Sequence, residues 1–272
     1  MANSSLRYFS NSKVGTPQVA GEVNVLDVHA APKFAVGWGF KDADGRQFRY
    51  GYSSAGVAAG TGVAPTFASA GVTLISNAVI APASATAVAG EKIQPGDVGS
   101  RYIQFTKASV TSVDIYKGGY VIISDGSGQG YTLRIKGNTI TGNPVSGDLR
   151  LELYEPLKYA LVATTDIIIV PNLWNDVVVA DGTNAAVSGV AMGTTTSSLP
   201  FGWFCTHGQV GCKQDGAWTV GAPLVRGADG FIMMGAGLTN PVQLGTTGGQ
   251  VVGYAIADGG DNKMGVAYLT IE

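Results

Sequence analysis

Phe34-Ala35-Val36-Gly37-Trp38-Gly39-Phe40, Lys41-Asp42-Ala43-Asp44-Gly45 and Arg46-Gln47-Phe48-Arg49-Tyr50-Gly51-Tyr52 run on from one another, and their pattern decides the fold. In the first block Phe34, Val36, Trp38 and Phe40 alternate with small residues. In the last, Phe48, Tyr50 and Tyr52 alternate with Gln47, Arg49 and Gly51. A period of two places every second side chain on one face of a strand. Between them, Asp-Ala-Asp-Gly supplies the positive φ that a tight reversal requires. The reading is a β-hairpin with one aromatic face.

Outward from this hairpin the pattern repeats. Tyr102-Ile103-Gln104-Phe105, Tyr120-Val121-Ile122-Ile123, Tyr131-Thr132-Leu133-Arg134-Ile135 and Leu149-Arg150-Leu151-Glu152-Leu153 read as four strands. Later come Asp166 to Val170, Trp218-Thr219-Val220, Phe231 to Met234, Val251 to Ile256 and Val266 to Ile271. Val72 to Ile75 and Ala78-Val79-Ile80 read as shorter ones, and turns such as Asp181 to Asn184 and Asp258 to Asn262 separate the later strands. No window of about a dozen residues carries a helical period. Composition agrees: charged residues are 13% of the chain, against about 25% in an average domain, and 40 of 272 residues are glycine. The expected class is all-β: a sandwich or open barrel of short strands with Gly-rich turns. Residues 1–30 read as an extended N-terminal arm, 31–96 with 158–272 as the main β domain, and 97–157 as a β subdomain, a candidate insertion.

Few residues could carry chemistry. His29 and His207 are the only histidines. Cys205 lies two positions from His207, but no third group orients such a pair, and no G-x-S-x-G elbow is present. If Gly208-Gln209 form a two-residue turn, Cys205 faces Cys212 across a hairpin as thiols or a disulfide, with thiols favoured by a reducing cytoplasm. Cys205, His207 and Cys212 fall one ligand short of a structural zinc site. Asp42-Ala43-Asp44-Gly45 echoes part of a calcium loop but lacks its first Asp and distal Glu. Gly126-Ser127-Gly128-Gln129-Gly130 precedes a strand, not the helix that a phosphate loop needs. Asp114, Glu152 and Glu155 are the carboxylates whose convergence would suggest glycoside chemistry, although nothing in the pattern draws them together. Trp38 and Trp203 read as core. Trp174 and Trp218 sit near turns, where burial in a core or interface is favoured over stacking on sugars. The expectation is no catalytic, cofactor-binding or metal residue, and no enzyme.

The net charge of −2, with no cluster of Lys or Arg, argues against nucleic-acid binding. No apolar run reaches the ~18 residues of a membrane span. The first residues lack the pattern of a signal peptide, so synthesis in a cytoplasm is expected.

Asp44-Gly45-Arg46-Gln47-Phe48-Arg49-Tyr50 resembles a D-G-R-x-F-R-Y hairpin of small structural proteins encoded near tailed-phage capsid genes. The Ala/Gly-rich stretch after Ala55 is similar to theirs, as is Tyr116-Lys117-Gly118-Gly119-Tyr120 running into Gly128-Gln129-Gly130-Tyr131. Phe201-Gly202-Trp203 and Val220-Gly221-Ala222-Pro223-Leu224 resemble their C-terminal β region. The family is that of capsid decoration, or cement, proteins. The resemblance implies a structural virion protein on the capsid exterior, with the major capsid protein and further copies of itself as partners, a trimer matching local three-fold axes. An arm that pairs with a neighbouring sheet edge fits that role. The competing readings are a tail or head-fibre component, a carbohydrate-binding β-sandwich, which exposed Trp174 or Trp218 would favour, and a glycan hydrolase.

Overall fold

The computed structural model describes residues 23–66, 73–75, 79, 84–85, 88–106, 113–141, 148–180, 186–227, 232–234 and 250–272. Of these, 45% lie in strands with essentially no helix, in curled antiparallel sheets. The fold is all-β, as composition and period imply. Residues 1–22 of the expected arm and the turn at 181–184 lie outside the described residues.

The described residues form two compact units, one within 1–66 and 173–272, the other within 67–172. The second unit therefore takes in 67–96 and 158–172 as well as the expected subdomain. It is a six-stranded sheet of β4 (Thr73–Ile75), β9 (Asp166–Val170), β6 (Tyr120–Asp125), β7 (Thr132–Thr141), β8 (Asp148–Leu153) and β5 (Tyr102–Thr106), in that spatial order. The alternation of β8 is strict: Leu149, Leu151 and Leu153 are buried, while Asp148, Arg150 and Glu152 stay partly exposed. The buried set joins Ile103, Phe105, Val121, Ile135, Ile167 and Ile169 in one core.

In the first unit β1 (Gly39–Lys41) pairs with β2 (Gln47–Tyr52), Phe40 opposite Phe48, and Gly45 makes the turn at φ +88°. The first arm of this hairpin is shorter than its alternation implies. Gly37 takes φ +86°, which ends the strand and lets Phe34 stack on Trp38 at 5.0 Å. Trp203 stands at the centre of the resulting cluster, with ring centroids of Phe34, Phe40 and Tyr50 all within 5.1 Å. Truncating such a buried Trp costs about 3–5 kcal/mol. Arg49–Glu272, Lys117–Asp114 and Lys136–Glu152 join exposed or partly exposed side chains, and such pairs contribute about 0–1 kcal/mol each, whereas buried Asp42 is fastened to Arg46 within the hairpin turn. In this part of the first unit the aromatic cluster is therefore the larger contribution.

Trp203 belongs to β12 (Phe201–Asp215), a strand of 15 residues. Its first half pairs with β2 and with β11 (Gly189–Ala191), and β11 continues to β3 (Gly62–Pro65) and β10 (Val177–Val179). Its second half pairs with β16 (Met264–Thr270) over seven residue pairs and, in parallel, with β14 (Ile232–Met234) over two. From β14 the pairing passes to β13 (Pro223–Arg226), then β15 (Val251–Ala257), then back to β16. These five strands close a ring, and closure leaves no free edge within it. Val210, Cys212, Leu224, Val252, Ala267 and Leu269 are buried in its core with Trp218.

β12 corrects the expected turn at Gly208-Gln209. The register with β2 slips between Cys205 and His207, a β-bulge, and Gly208 takes φ +92°. One extra residue flips the phase of the strand. Hence Trp203 and Cys205 face the core before the bulge, and Val210 and Cys212 face it afterwards. Cys205 and Cys212 thus share one strand instead of facing each other across two, and both are free thiols. Trp218-Thr219-Val220 is likewise not a strand. Trp218 N–H donates to Asp258 Oδ1 at 3.0 Å and its indole N–H to Ile232 O at 3.2 Å, which holds the ring inward.

A Cβ on Gly208 would lie 2.8 Å from Arg46 Cγ and 3.1 Å from Arg46 Cα. Gly208→Ala is expected to cost about 1–2 kcal/mol from left-handed strain plus that clash. Gly211→Ala, whose Cβ would meet Met264 Cε at 3.6 Å, is expected to stay within about 0.5 kcal/mol of the parent. Urea midpoints of the two variants separate them.

Candidate functional site

The residues named from sequence mostly serve the fold. Cys205 S–H donates to His207 O at 3.4 Å, not to the imidazole. That ring turns away, with Nδ1 2.7 Å from Glu272 O and Nε2 3.3 Å from Tyr268 Oη. Burial pushes the Cys205 thiol up to about 11 and Cys212 to about 12, the latter raised further by Cys205. An activated nucleophile needs the opposite shift. Asp42 spends both carboxylate oxygens on Arg46, accepting from its N–H at 2.8 Å and its Nε at 2.7 Å. Gly126, Gly128 and Gly130 all have positive φ in a turn between β6 and β7. Trp174 and Trp218 are only 6% and 5% exposed, so the feature that would favour sugar stacking at those positions is lacking. Among the described residues no group of three or more His, Cys, Asp or Glu is placed to hold a metal ion.

His29 has a structural place. It bridges to Phe201 in the backbone, and its Nδ1 lies 3.0 Å from Tyr50 Oη. That hydroxyl also accepts from Lys33 N–H at 3.2 Å, which leaves its own proton for a neutral Nδ1. Burial first, and then the Lys33 ammonium, lower the imidazole below its ordinary pKa, with Asp27 opposing.

Two surfaces remain. On the first unit, the outer face of β15, β16 and β12 carries large apolar side chains in register. Tyr254 pairs with Tyr268, which pairs with Gln209, and Val266 pairs with Gly211. Tyr254 is 49% exposed and Tyr268 42%, and Ile256 and Met264 are exposed beside them. Lys213, paired with Met264, lies at one end of this face. Contiguous apolar faces of this kind mark interaction sites when they are large.

On the second unit, the outer face of β5, β8 and β7 forms a cleft of about 240 Å³. Tyr102, Glu152 and Gly137 line up across the three strands, and Gln104, Arg150 and Thr139 form the next row. A bulge between Ile135 and Gly137 sets this register. Asp114 forms a wall, at φ +61°. Its Oδ1 accepts from Asn138 N–H at 3.2 Å, its Oδ2 from Lys117 Nζ at 3.2 Å, and its own N–H donates to Asn138 O at 3.0 Å. Buried Asn138 in turn accepts from Tyr116 N–H at 2.8 Å. A Cβ on Gly137 would stand 2.6 Å from Asp114 Oδ1, so a side chain there would push the carboxylate from its place. Glu152 accepts from Lys136 at 2.5 Å. Arg150 donates to Gln104 Oε1 at 3.3 Å, and Gln104 donates to Asp148 at 2.9 Å.

The structure thus brings Asp114 and Glu152 to one cleft. Glu155 stays out of it, accepting from Arg134 N–H at 3.4 Å. Tyr102, Arg150 and Thr139 were not singled out in sequence, although the alternation of β8 already marks Arg150 and Glu152 as outward neighbours. No family model, no curated protein and no solved structure matches the chain.

Two outcomes are expected. At pH 8 the native protein leaves both thiols unreacted with an aromatic disulfide reagent, and in urea without reductant it titrates two. Because the His29 pKa is lowered on folding, its contribution to stability is present above the unfolded value of about 6.5 and is lost as pH falls toward the folded value. His29→Asn keeps an acceptor for Tyr50 and removes the titration, so its urea midpoint should fall less than the parent's between pH 7 and pH 5.

Proposed function

We propose that this chain is a structural virion protein that binds the outer surface of a tailed-phage capsid and reinforces the shell by bridging neighbouring capsid subunits. The observation that carries this reading is the apolar outer face of β15, β16 and β12. Tyr254, Ile256, Met264 and Tyr268 stand exposed on a sheet fixed by a closed ring of strands. Interfaces concentrate their energy in such aromatic anchors on rigid elements and are poor in charge at their centre. The thiols are buried and hard to ionise, which suits a protein that endures more than one that reacts. The hairpin around Asp44 to Tyr50 supports the reading as a resemblance, and a trimer matches the three-fold axes such proteins occupy.

The test is to mix the purified protein with undecorated phage shells, pellet them and image them by cryo-EM. Ordered density with the Tyr254–Tyr268 face against the shell is expected, and Tyr254→Ser with Tyr268→Ser should reduce pelleting at least tenfold. Bare shells with the protein in the supernatant would sink the proposal.

A further inference from the structure

The polar cleft of the second unit has a composition that narrows what it can hold. Its walls alternate acceptors and donors. Asp114 and Glu152 offer carboxylate oxygens, Arg150 offers a guanidinium, and the hydroxyl of Thr139 can do either. Each carboxylate already has a lysine, Lys117 for Asp114 and Lys136 for Glu152. The cleft therefore has no uncompensated negative charge to draw a cation, and Arg150 would oppose one. A free anion would find Arg150 as the one lining cation, with the carboxylate oxygens of Asp114 and Glu152 beside it. What remains is a neutral ligand dense in hydroxyl groups, because vicinal hydroxyls can donate to a carboxylate and accept from a guanidinium together.

Three further features fit that class. Tyr102 and Val88 give the cleft an apolar side, against which the C–H face of a sugar ring can pack. The volume, about 240 Å³, falls below the roughly 300–1,000 Å³ of sites for larger ligands, which suits one ring of a longer chain. The polar groups are also held in advance: Asp114 is fixed from three directions, and Glu152 and Arg150 sit on a paired central strand. Fixed groups lose little freedom on binding.

We infer that this cleft is a binding site for one ring of a neutral glycan, with Asp114, Glu152 and Arg150 reading hydroxyls and Tyr102 packing on the ring. It stands apart from the capsid reading, which rests on the first unit.

The experiment is an amide NMR titration of the full chain with four neutral probes: maltotetraose, cellotetraose, chitotetraose and α-mannotetraose, each to about 10 mM, which fills a site with a Kd of about 1 mM to roughly nine-tenths. Shifts confined to Tyr102, residues 137–139 and 150–152 are expected with at least one probe. Glu152→Gln and Tyr102→Leu should each weaken that response at least tenfold, with the rest of the spectrum unchanged to show that they fold. Glu155→Gln, outside the cleft, should leave it as it was. Absence of these shifts with all four probes, or shifts that both cleft variants leave intact, overturns the site. Neither result bears on pelleting with shells, so the two proposals fail separately.

Discussion

One strand must bury opposite faces along its length, and the first unit is organised around that requirement. β12 passes from the aromatic cluster into the five-stranded ring, and the bulge before Gly208 lets it do both. A regular strand would keep Trp203, Cys205 and every later odd position on one face. Val210 and Cys212 would then point to solvent, and the ring would lack part of its core. The left-handed backbone at Gly208, packed against Arg46, is thus coupled to the hairpin turn at Asp42 to Arg46. Turn, bulge and ring belong to a single arrangement.

Much of the second unit was legible because β8 and β9 keep a strict period of two in burial. Leu149 to Leu153 and Asp166 to Val170 could be placed nearly to the residue. The first unit was harder, for a physical reason. Glycine with positive φ between two alternating runs is the local signature of both a tight hairpin and a glycine bulge. Which of them forms depends on what the flanking residues pair with, here β2 on one stretch and β16 on the next, and both partners are distant in sequence. Trp218 misled for a similar reason: its apolar neighbours suggest a strand, but its hydrogen bonds to Asp258 and Ile232 make it a plug. The convergence of Asp114 and Glu152 depends on the bulge at Gly137, which sequence spacing does not reveal.

The two units divide polar and apolar duties. In the first, burial of aromatic rings does much of the stabilising, and the outer ring face carries Tyr254, Ile256, Met264 and Tyr268 beside Gln209 and Lys213. In the second, the leucine and isoleucine core is plain, and the outer face of β5, β8 and β7 is a connected polar surface. Buried Gln104 and Asn138 extend hydrogen bonding from that face into the sheet, each with its partners in place. Polar groups so tied specify a conformation more sharply than apolar packing alone.

The ring is not equally sewn on all sides. Among the described residues, seven antiparallel pairs join β12 to β16, whereas two parallel pairs join β12 to β14. A load applied across the sheet spreads over seven pairs along the first join and over two along the second. Among the described residues the ring is thus a cuff with a clasp: its longest join runs along β16, and its shortest lies beside Gln214 and Ile232.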